Sequence, residues 1–307
     1  MLLRHIHYFI AVAEHGNFTR AAEALHVSQP TLSLQIKQLE ESLGAQLLDR
    51  SGRVVQPTDA GKAYLQYART ALRELQMGQR AIHDVKDLSR GSLRIAMTPT
   101  FTTYLIGPLI ENFTKSFPGI QLSVQEMTQH KIETSLAEDV LDLGIAFSQV
   151  NSMEIEATPL FVEQLSMVVG AAHPLARQKS NGSLAALKTQ SLALLTNDFA
   201  TRQQIDAFFR KEAITPRIAV EANSIGAIVE IVRRTPLATI LPDLIAHEHV
   251  GLSSIALKPA LPRRTAALLS RKGAYGTAAA LAFKRLMLGS VDGVSRTARR
   301  KAAPIQR

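Results

Sequence analysis

Between Phe18 and Gly44 two helical patterns meet with almost no chain between them, and few folds tolerate that. At about 100° per residue, Leu32, Ile36, Leu39 and Leu43 fall in a stripe about 60° wide, the pattern of a helix packed along one face. Ser28 stands where an N-cap belongs, Pro30 lies in the first turn where its missing N–H costs nothing, and Gly44 ends the helix. Upstream, Phe18, Ala21, Ala22 and Leu25 line one face of a shorter helix begun by Thr19 or Asn17. Leu25-His26-Val27-Ser28 leaves only a tight turn, and the small Ala22 permits a close crossing. The pair reads as a helix-turn-helix.

The side of the second helix turned away from its stripe carries Pro30, Ser33, Leu34, Lys37 and Glu41, with Gln29 and Thr31 in the first turn. Short polar groups there suit a DNA major groove. Gln29 can pair with adenine, Ser33 with several bases, Lys37 with phosphate or guanine, and Leu34 can pack on a thymine methyl. An ordinary surface helix with one exposed leucine competes with this reading. Leu47 to Thr58 reads as a hairpin about Ser51-Gly52, and a hairpin after a recognition helix is a wing. Arg50 and Arg53 flank its tip, within reach of phosphate or an A·T-rich minor groove. Two solvated arginines on a surface hairpin are the plainer alternative. From Thr58 to Leu88 the pattern is one long helix, with Tyr64, Ala68, Ala71, Leu75, Gly78, Ile82 and Val85 in a heptad seam suited to a second chain. A helix packed on its own domain would show the same seam.

The net charge of +9 over 307 residues fits a polyanionic partner. The surplus is spread, however: residues 1–90 hold 11 Lys/Arg against 9 Asp/Glu, residues 91–290 hold 19 against 16, and residues 291–307 hold 5 against 1. A few placed cations must therefore serve any DNA contact. With no cysteine, disulfides, thiol redox sensing, thiolate nucleophiles and Cys-ligated zinc are excluded, and a reducing compartment fits. There is no signal-peptide pattern and no apolar stretch of bilayer length, so a cytoplasmic protein without membrane contact is expected.

After Arg90-Gly91-Ser92 the chain alternates strands and helices, beginning with "SLRIAMT" (strand), a helix ending at Pro118-Gly119, "IQLSVQEMT", "QHKIETSLAED" and "VLDLGIAF". This order implies a parallel sheet covered on both faces. "QLSMVVGAAHPLA" reads as a strand leaving this lobe for a second α/β set, "RTAALLSRKG" as the strand crossing back, and "TAAALAFKRLML" as a closing helix. Such lobes bind ligands in the crevice at the carboxyl ends of their strands. Hydroxyl-bearing turns stand there: Thr98 to Thr102 (with Thr100 and Phe101), Thr128, Phe199 to Arg202 (with Thr201), and Asn223-Ser224, while Phe147 closes a strand. Each turn can simply cap a helix; alternatively, free N–H groups at helix N-termini, threonine hydroxyls and Arg202 make a small-anion site.

His5-Ile6-His7 and His247-Glu248-His249 would share a face on strands, but no third ligand is evident and no metal is expected. No nucleophile elbow, P-loop or dinucleotide fingerprint is present. An α/β enzyme is thus the less favoured class, and a secreted solute-binding protein does not fit the attached winged helix.

The stretch "HYFIAVAEHGNFTRAAEALHVSQPTLSLQIKQLEESLGAQLLDRSGRVVQPTDAG" resembles the N-terminal domain of the LysR-type transcriptional regulators. The resemblance implies base contacts from Gln29, Pro30, Ser33 and position 34, with Arg53 in the wing. Leu34 departs from the Arg or Gln common there, and Leu48 from a common Phe. It also implies an α/β chain with an all-α winged helix-turn-helix N-terminal domain, a long linker helix and a two-lobed, periplasmic-binding-protein-like effector domain. The expected boundaries are 1–58 for DNA binding, 59–89 for the dimerising linker helix and 90–290 for the effector domain, with lobe I about 92–163 and 265–290 and lobe II about 164–264. A basic, disordered tail is expected at 291–307. Within the family, "AIHDVKDLSRGSLRIAMTPTFT", "LDLGIAF", "FATRQQID" and "EANSI" resemble a cyanate-responsive activator. That implies cyanate, or azide, as effector and no other cofactor. Double-stranded promoter DNA, RNA polymerase and further copies of the chain, in a dimer or tetramer, are the implied partners. The alternative within the family is a different small organic acid.

Overall fold

The computed structural model describes residues 3–83, 88–177, 182–184 and 186–301, and divides into two units, Met1–His83 and Asp84–Arg307. In the first, α1 (Leu3–His15), α2 (Phe18–Ala24) and α3 (Gln29–Leu43) are followed by β1 (Leu48–Asp49), β2 (Gln56–Pro57) and α4 (Asp59–His83). Asn17 starts α2, its side chain accepting from the amides of Thr19 at 2.8 Å and Arg20 at 3.1 Å. Ser28 caps α3 through the Thr31 amide at 3.3 Å, Pro30 sits in the first turn, and Gly44 closes the helix at φ 63°, a backbone that favours glycine. Leu32, Ile36 and Leu39 point inward against Phe9, Val12, Ala21, Ala22, Leu47 and Leu48. Leu43 shares the stripe by angle but stays exposed, because the helix outruns its neighbours there.

α4 passes so near the wing that a Cβ on Gly61 would lie 2.0 Å from the Leu47 carbonyl oxygen; only glycine allows the approach. Of the expected seam, Tyr64 packs on Phe9 and Ala68, together with Leu72, is buried against Ile6 of α1. Ala71 and Leu75 stay exposed, Val85 lies outside the described residues, and the side chain of Ile82 is likewise not described. The histidine pairs also change meaning. His5 and His7 lie on α1 rather than a strand, where residues two apart face different ways, and His5 bonds Gln35 at 2.9 Å.

The second unit runs β3 (Gly91–Met97), α5 (Pro99–Tyr104), α6 (Ile106–Ser116), β4 (Ile120–Glu126), α7 (Gln129–Ala137), β5 (Leu143–Phe147) and β6 (Ile155–Gly170). It continues through β7 (Gly182–Ser183), α8 (Ala186–Thr189), β8 (Ser191–Leu195), α9 (Ala200–Lys211), β9 (Arg217–Ala222), α10 (Ile225–Arg234), β10 (Ala238–Pro242) and α11 (Asp243–Glu248). It closes with β11 (Leu252–Ile255), β12 (Leu257–Lys258), β13 (Arg263–Arg271) and α12 (Ala278–Lys301). His247 ends α11 and His249 caps it, its ring bonding the Ile245 carbonyl at 2.9 Å.

One sheet path runs β4-β3-β5-β13-β6-β10-β8-β9, with β11 also on β6. β3, β4 and β5 are parallel, as are β8, β9 and β10, whereas β13 and β6 run antiparallel to their neighbours. β6 pairs with β13 from Ile155 to Gln164 and with β10 from Leu165 onward, so it serves both halves. In the first half Leu93, Ile95 and Met97 of β3 join Phe101, Phe113 and Phe283 on one face, while Ala96 meets Ile132 and Leu136 on the other. That two-sided burial is what parallel strands require. The backbone of α12 runs to Lys301, past residue 291 where the tail was expected to begin. Ala279, Ala282 and Phe283 pin the first turns of this helix to the core. Residues 302–307 lie outside the described residues.

Candidate nucleic-acid interface and effector cleft

Packing leaves one side of α3 open. Gln29, Pro30 and Thr31 are exposed in its first turn, Ser33 is half-buried, and Leu34 is 54% exposed one turn on. Lys37 lies 3.8 Å from Glu41, an exposed pair weak enough to exchange for a phosphate. Gln35, on the flank, is held by His5 and Gln38. In the wing, Arg53 is exposed and has no partner among the described residues. Arg50 is different. Its Nη2 donates to Glu40 at 2.7 Å and its guanidinium lies 5.1 Å from the Phe18 ring centroid. Glu40 also accepts from the Leu47 and Leu48 amides at 2.8 and 3.1 Å, tying α3 to β1. In the free chain Arg50 thus braces the wing rather than standing ready for the expected phosphate contact, because a half-buried carboxylate beside two amides is its nearest strong partner.

In the second unit a cleft of about 850 Å³ lies where the turns after β3, β4, β5 and β8 converge. Thr98, Thr100, Thr128, Phe147, Phe199 and Thr201 line it. Thr98 and Thr128 hold the N-cap positions of α5 and α7, yet neither side chain makes a capping bond. The Thr98 hydroxyl instead lies 3.5 Å from that of Thr100, so neither Thr98 nor Thr128 spends its hydroxyl on a backbone cap. α7 and α9 begin at the cleft, so their first amides face it without side-chain caps.

The other expected effector residues lie elsewhere. Phe101 is in the core, its ring 5.3 Å from Phe147. The Thr102 hydroxyl bonds the Glu126 carboxylate and the Pro99 carbonyl. Ser224 caps α10 through the Ala227 amide at 3.4 Å, and neither it nor the exposed Asn223 lines the cleft. Arg202 is buried and consumed: it donates to Asp206, to Glu221 and to the Leu195 carbonyl, bracing α9 against β8 and β9. A buried guanidinium needs such partners, and two carboxylates within reach leave little charge for a ligand.

The sequence reading missed several lining groups. Lys131 and His130 follow Thr128 in the first turn of α7, and Lys131 is an exposed cation at the cleft without a partner among the described residues. Its place within three residues of Thr128 was the available signal. Gln129 bonds the backbone of Phe147 and Gln149, and buried Glu133 accepts from the Asn151 and Ser152 amides at 2.9 and 3.0 Å, so the two hold the loop after β5 in place. Tyr104 donates to Glu163 at 2.7 Å. Burial, reinforced by the Glu163 carboxylate, pushes its phenol well above the ordinary range and keeps it a donor.

Residues 3–62 match the family described as "Bacterial regulatory helix-turn-helix protein, lysR family", and residues 86–291 match "LysR substrate binding domain". The chain belongs to the LysR family. It is a DNA-binding transcriptional regulator and not an enzyme, and its winged helix-turn-helix and α/β effector domain are the family's fold. The DNA-binding transcriptional dual regulator OxyR of Escherichia coli K12 is 31% identical over 276 residues, covering 89% of this chain and 90% of that protein. The RuBisCO operon transcriptional regulator of Allochromatium vinosum is 31% identical over 292 residues, covering 93% and 95%. Full-length CbnR complexed with its target DNA superimposes with a TM-score of 0.57 at 26% identity, covering 95% of this chain and all of that one. No described helix is long and apolar enough to cross a membrane.

Proposed function

We propose that this LysR-type regulator lays the open side of α3 into the major groove of an interrupted palindromic promoter site, as a dimer and then as a pair of dimers, and that a small anion in the cleft switches it. Cyanate, or azide, is the first candidate, with activation of a cyanate-metabolism operon through RNA polymerase and repression of its own gene as outputs. The cytoplasm, where its promoter lies, is its place of work. The carrying observation is that Thr98 and Thr128 stand at helix starts with hydroxyls uncommitted to capping, beside the free amides of α7 and α9 and the Lys131 ammonium. Donors and positive ends converging without a carboxylate partner for Lys131 favour an acceptor-only ligand. Tyr67, Ala71 and Leu75 leave an exposed apolar row on α4, Tyr67 being 74% exposed, and that row supports the dimer. An anion preferred by one arrangement of the lobes would bias the DNA-binding heads by its differential affinity. Relatives of this chain include hydrogen peroxide-inducible genes activators, but peroxide is not its signal on this reading. With no cysteine in these residues, no thiol is present for peroxide to oxidise.

A larger organic acid is the second reading, and the cleft volume favours it: about 850 Å³ suits a ligand of many atoms better than a triatomic ion. Calorimetric titration of the full chain with cyanate, azide and benzoate separates them. Heat from the first two supports the small-anion reading, benzoate alone transfers it to the second, and silence from all three defeats the cleft as an anion site. Thr100→Val and Thr201→Val should remove the response while operator binding persists; a normal response moves the site elsewhere.

A further inference from the structure

Behind the cleft sits a charge that none of these assignments uses. Arg264, in β13, has a side chain only 2% exposed. Its Nε donates to Glu163 directly across the β13–β6 ladder, and its guanidinium carbon lies 4.1 Å from the Phe147 ring centroid. Nη1 donates to the Thr201 hydroxyl oxygen at 2.7 Å, while Nη2, also buried, has no hydrogen-bond partner among the described residues. Phe147 and Thr201 both line the cleft, so Arg264 touches two of its walls from the inside.

We propose that Arg264 is a positioning residue that makes the cleft selective for anions, acting through Thr201. This rests on reading the cleft as an anion site. A hydroxyl has one proton and two lone pairs. The guanidinium occupies a lone pair of Thr201, so the hydroxyl meets a ligand as a donor, and a donor polarised by a positive charge is strengthened. The second lone pair could still accept from an amine or alcohol, but the positive guanidinium beside it disfavours a cationic donor there, so Arg264 biases the hydroxyl toward acceptor ligands. Glu163 sets how strong the effect is, because it offsets the buried charge and is itself held by Tyr104. The relay Tyr104–Glu163–Arg264–Thr201 joins α5 to α9 at the point where β6 exchanges β13 for β10, so occupancy at Thr201 bears on the strands shared by both halves.

The test is calorimetry on the full chain with sodium cyanate, azide, acetate and benzoate. Arg264→Gln should weaken the anions that bind the unaltered chain by about tenfold or more, and in a Thr201→Val background the same change should cost less than about threefold, since the hydroxyl it acts through is gone. Glu163→Gln should move affinity the other way, tightening anions about fivefold by leaving the Arg264 charge uncompensated. A scaffold role alone predicts that both changes weaken binding. If Arg264→Gln does not fold, as judged by urea unfolding, Glu163→Gln decides by itself: a rise supports the role, and no change or a fall overturns it. An unaltered chain that binds none of the four anions overturns the cleft reading and this inference together. One that binds, with Arg264→Gln within twofold of it, overturns this inference alone.

Discussion

The open side of α3 and the cleft of the effector domain are both built from short polar side chains, but they hold them differently. On α3 and in the wing the functional groups are unspent: Gln29, Leu34 and Arg53 are exposed, and the opposite face of α3 carries the packing. Behind the walls of the cleft the charged groups are already engaged, Arg202 with Asp206 and Glu221, Arg264 with Glu163 and Thr201, Glu133 with two loop amides, while Lys131 on its lining has no partner among the described residues. A surface that reads a large, rigid polyanion takes its orientation from the duplex. A cavity that must recognise something small has to be oriented in advance, and the cost of that is buried charge. Substitution on α3 should thus alter binding without altering stability, while substitution around the cleft should alter both.

The largest effect expected from that contrast is at Arg202. Arg202→Ala removes the donor to two carboxylates and a buried carbonyl, and breaking a buried pair costs about 3–5 kcal/mol. Because Glu221 is about half exposed, solvent recovers part of this, and a loss of about 2–3 kcal/mol from the urea transition of the effector domain is the expectation. Undiminished stability would mean that the guanidinium is free in solution, and would restore Arg202 as a ligand contact.

How far the two regions could be read beforehand follows the same division. α3 is local: a 3.6-residue period, Ser28, Pro30 and Gly44 lie within seventeen residues, so its start, its end and its buried face could be written down from the string. Only Leu43 misled, since angle alone does not say where the neighbouring helices stop. The cleft threonines were also legible, because each stands at a strand-to-helix step. Their role was not: whether Thr98 or Ser224 spends its hydroxyl on a cap depends on how the side chain is turned, which the string does not carry. Arg264 was hidden altogether, being 63 residues from Thr201 and joined to it only by the crossing strands. The early start of β6 was masked by Pro159, which breaks the strand pattern yet is accommodated where the register shifts between Ala266 and Ala267.

A middle-sized effect sharpens the comparison from the other side. Leu34→Ala should weaken operator binding about fivefold, the equivalent of about 1 kcal/mol for half a leucine side chain taken from water against a thymine methyl. Its urea midpoint should not move, since the side chain touches no core. Binding isotherms and unfolding curves on the same preparation check both halves. A stability loss with unchanged affinity would place Leu34 in the packing rather than in the groove, and the distinction between an unspent reader and an engaged cleft would no longer hold at α3.

The smallest effect lies in the wing, where two arginines three residues apart are expected to behave differently. Arg53→Ala should weaken binding only slightly at low salt, but the slope of log affinity against log salt should become shallower by about one per bound chain, the signature of one lost phosphate contact. Arg50→Ala should leave that slope alone, because its charge is already neutralised by Glu40, and should instead loosen the link between α3 and β1. Measured between about 50 and 200 mM salt, the range over which such slopes are clearest, the two variants form an internal control. A slope change in Arg50→Ala with none in Arg53→Ala would exchange their roles, and would mean that Glu40 releases its arginine once DNA arrives.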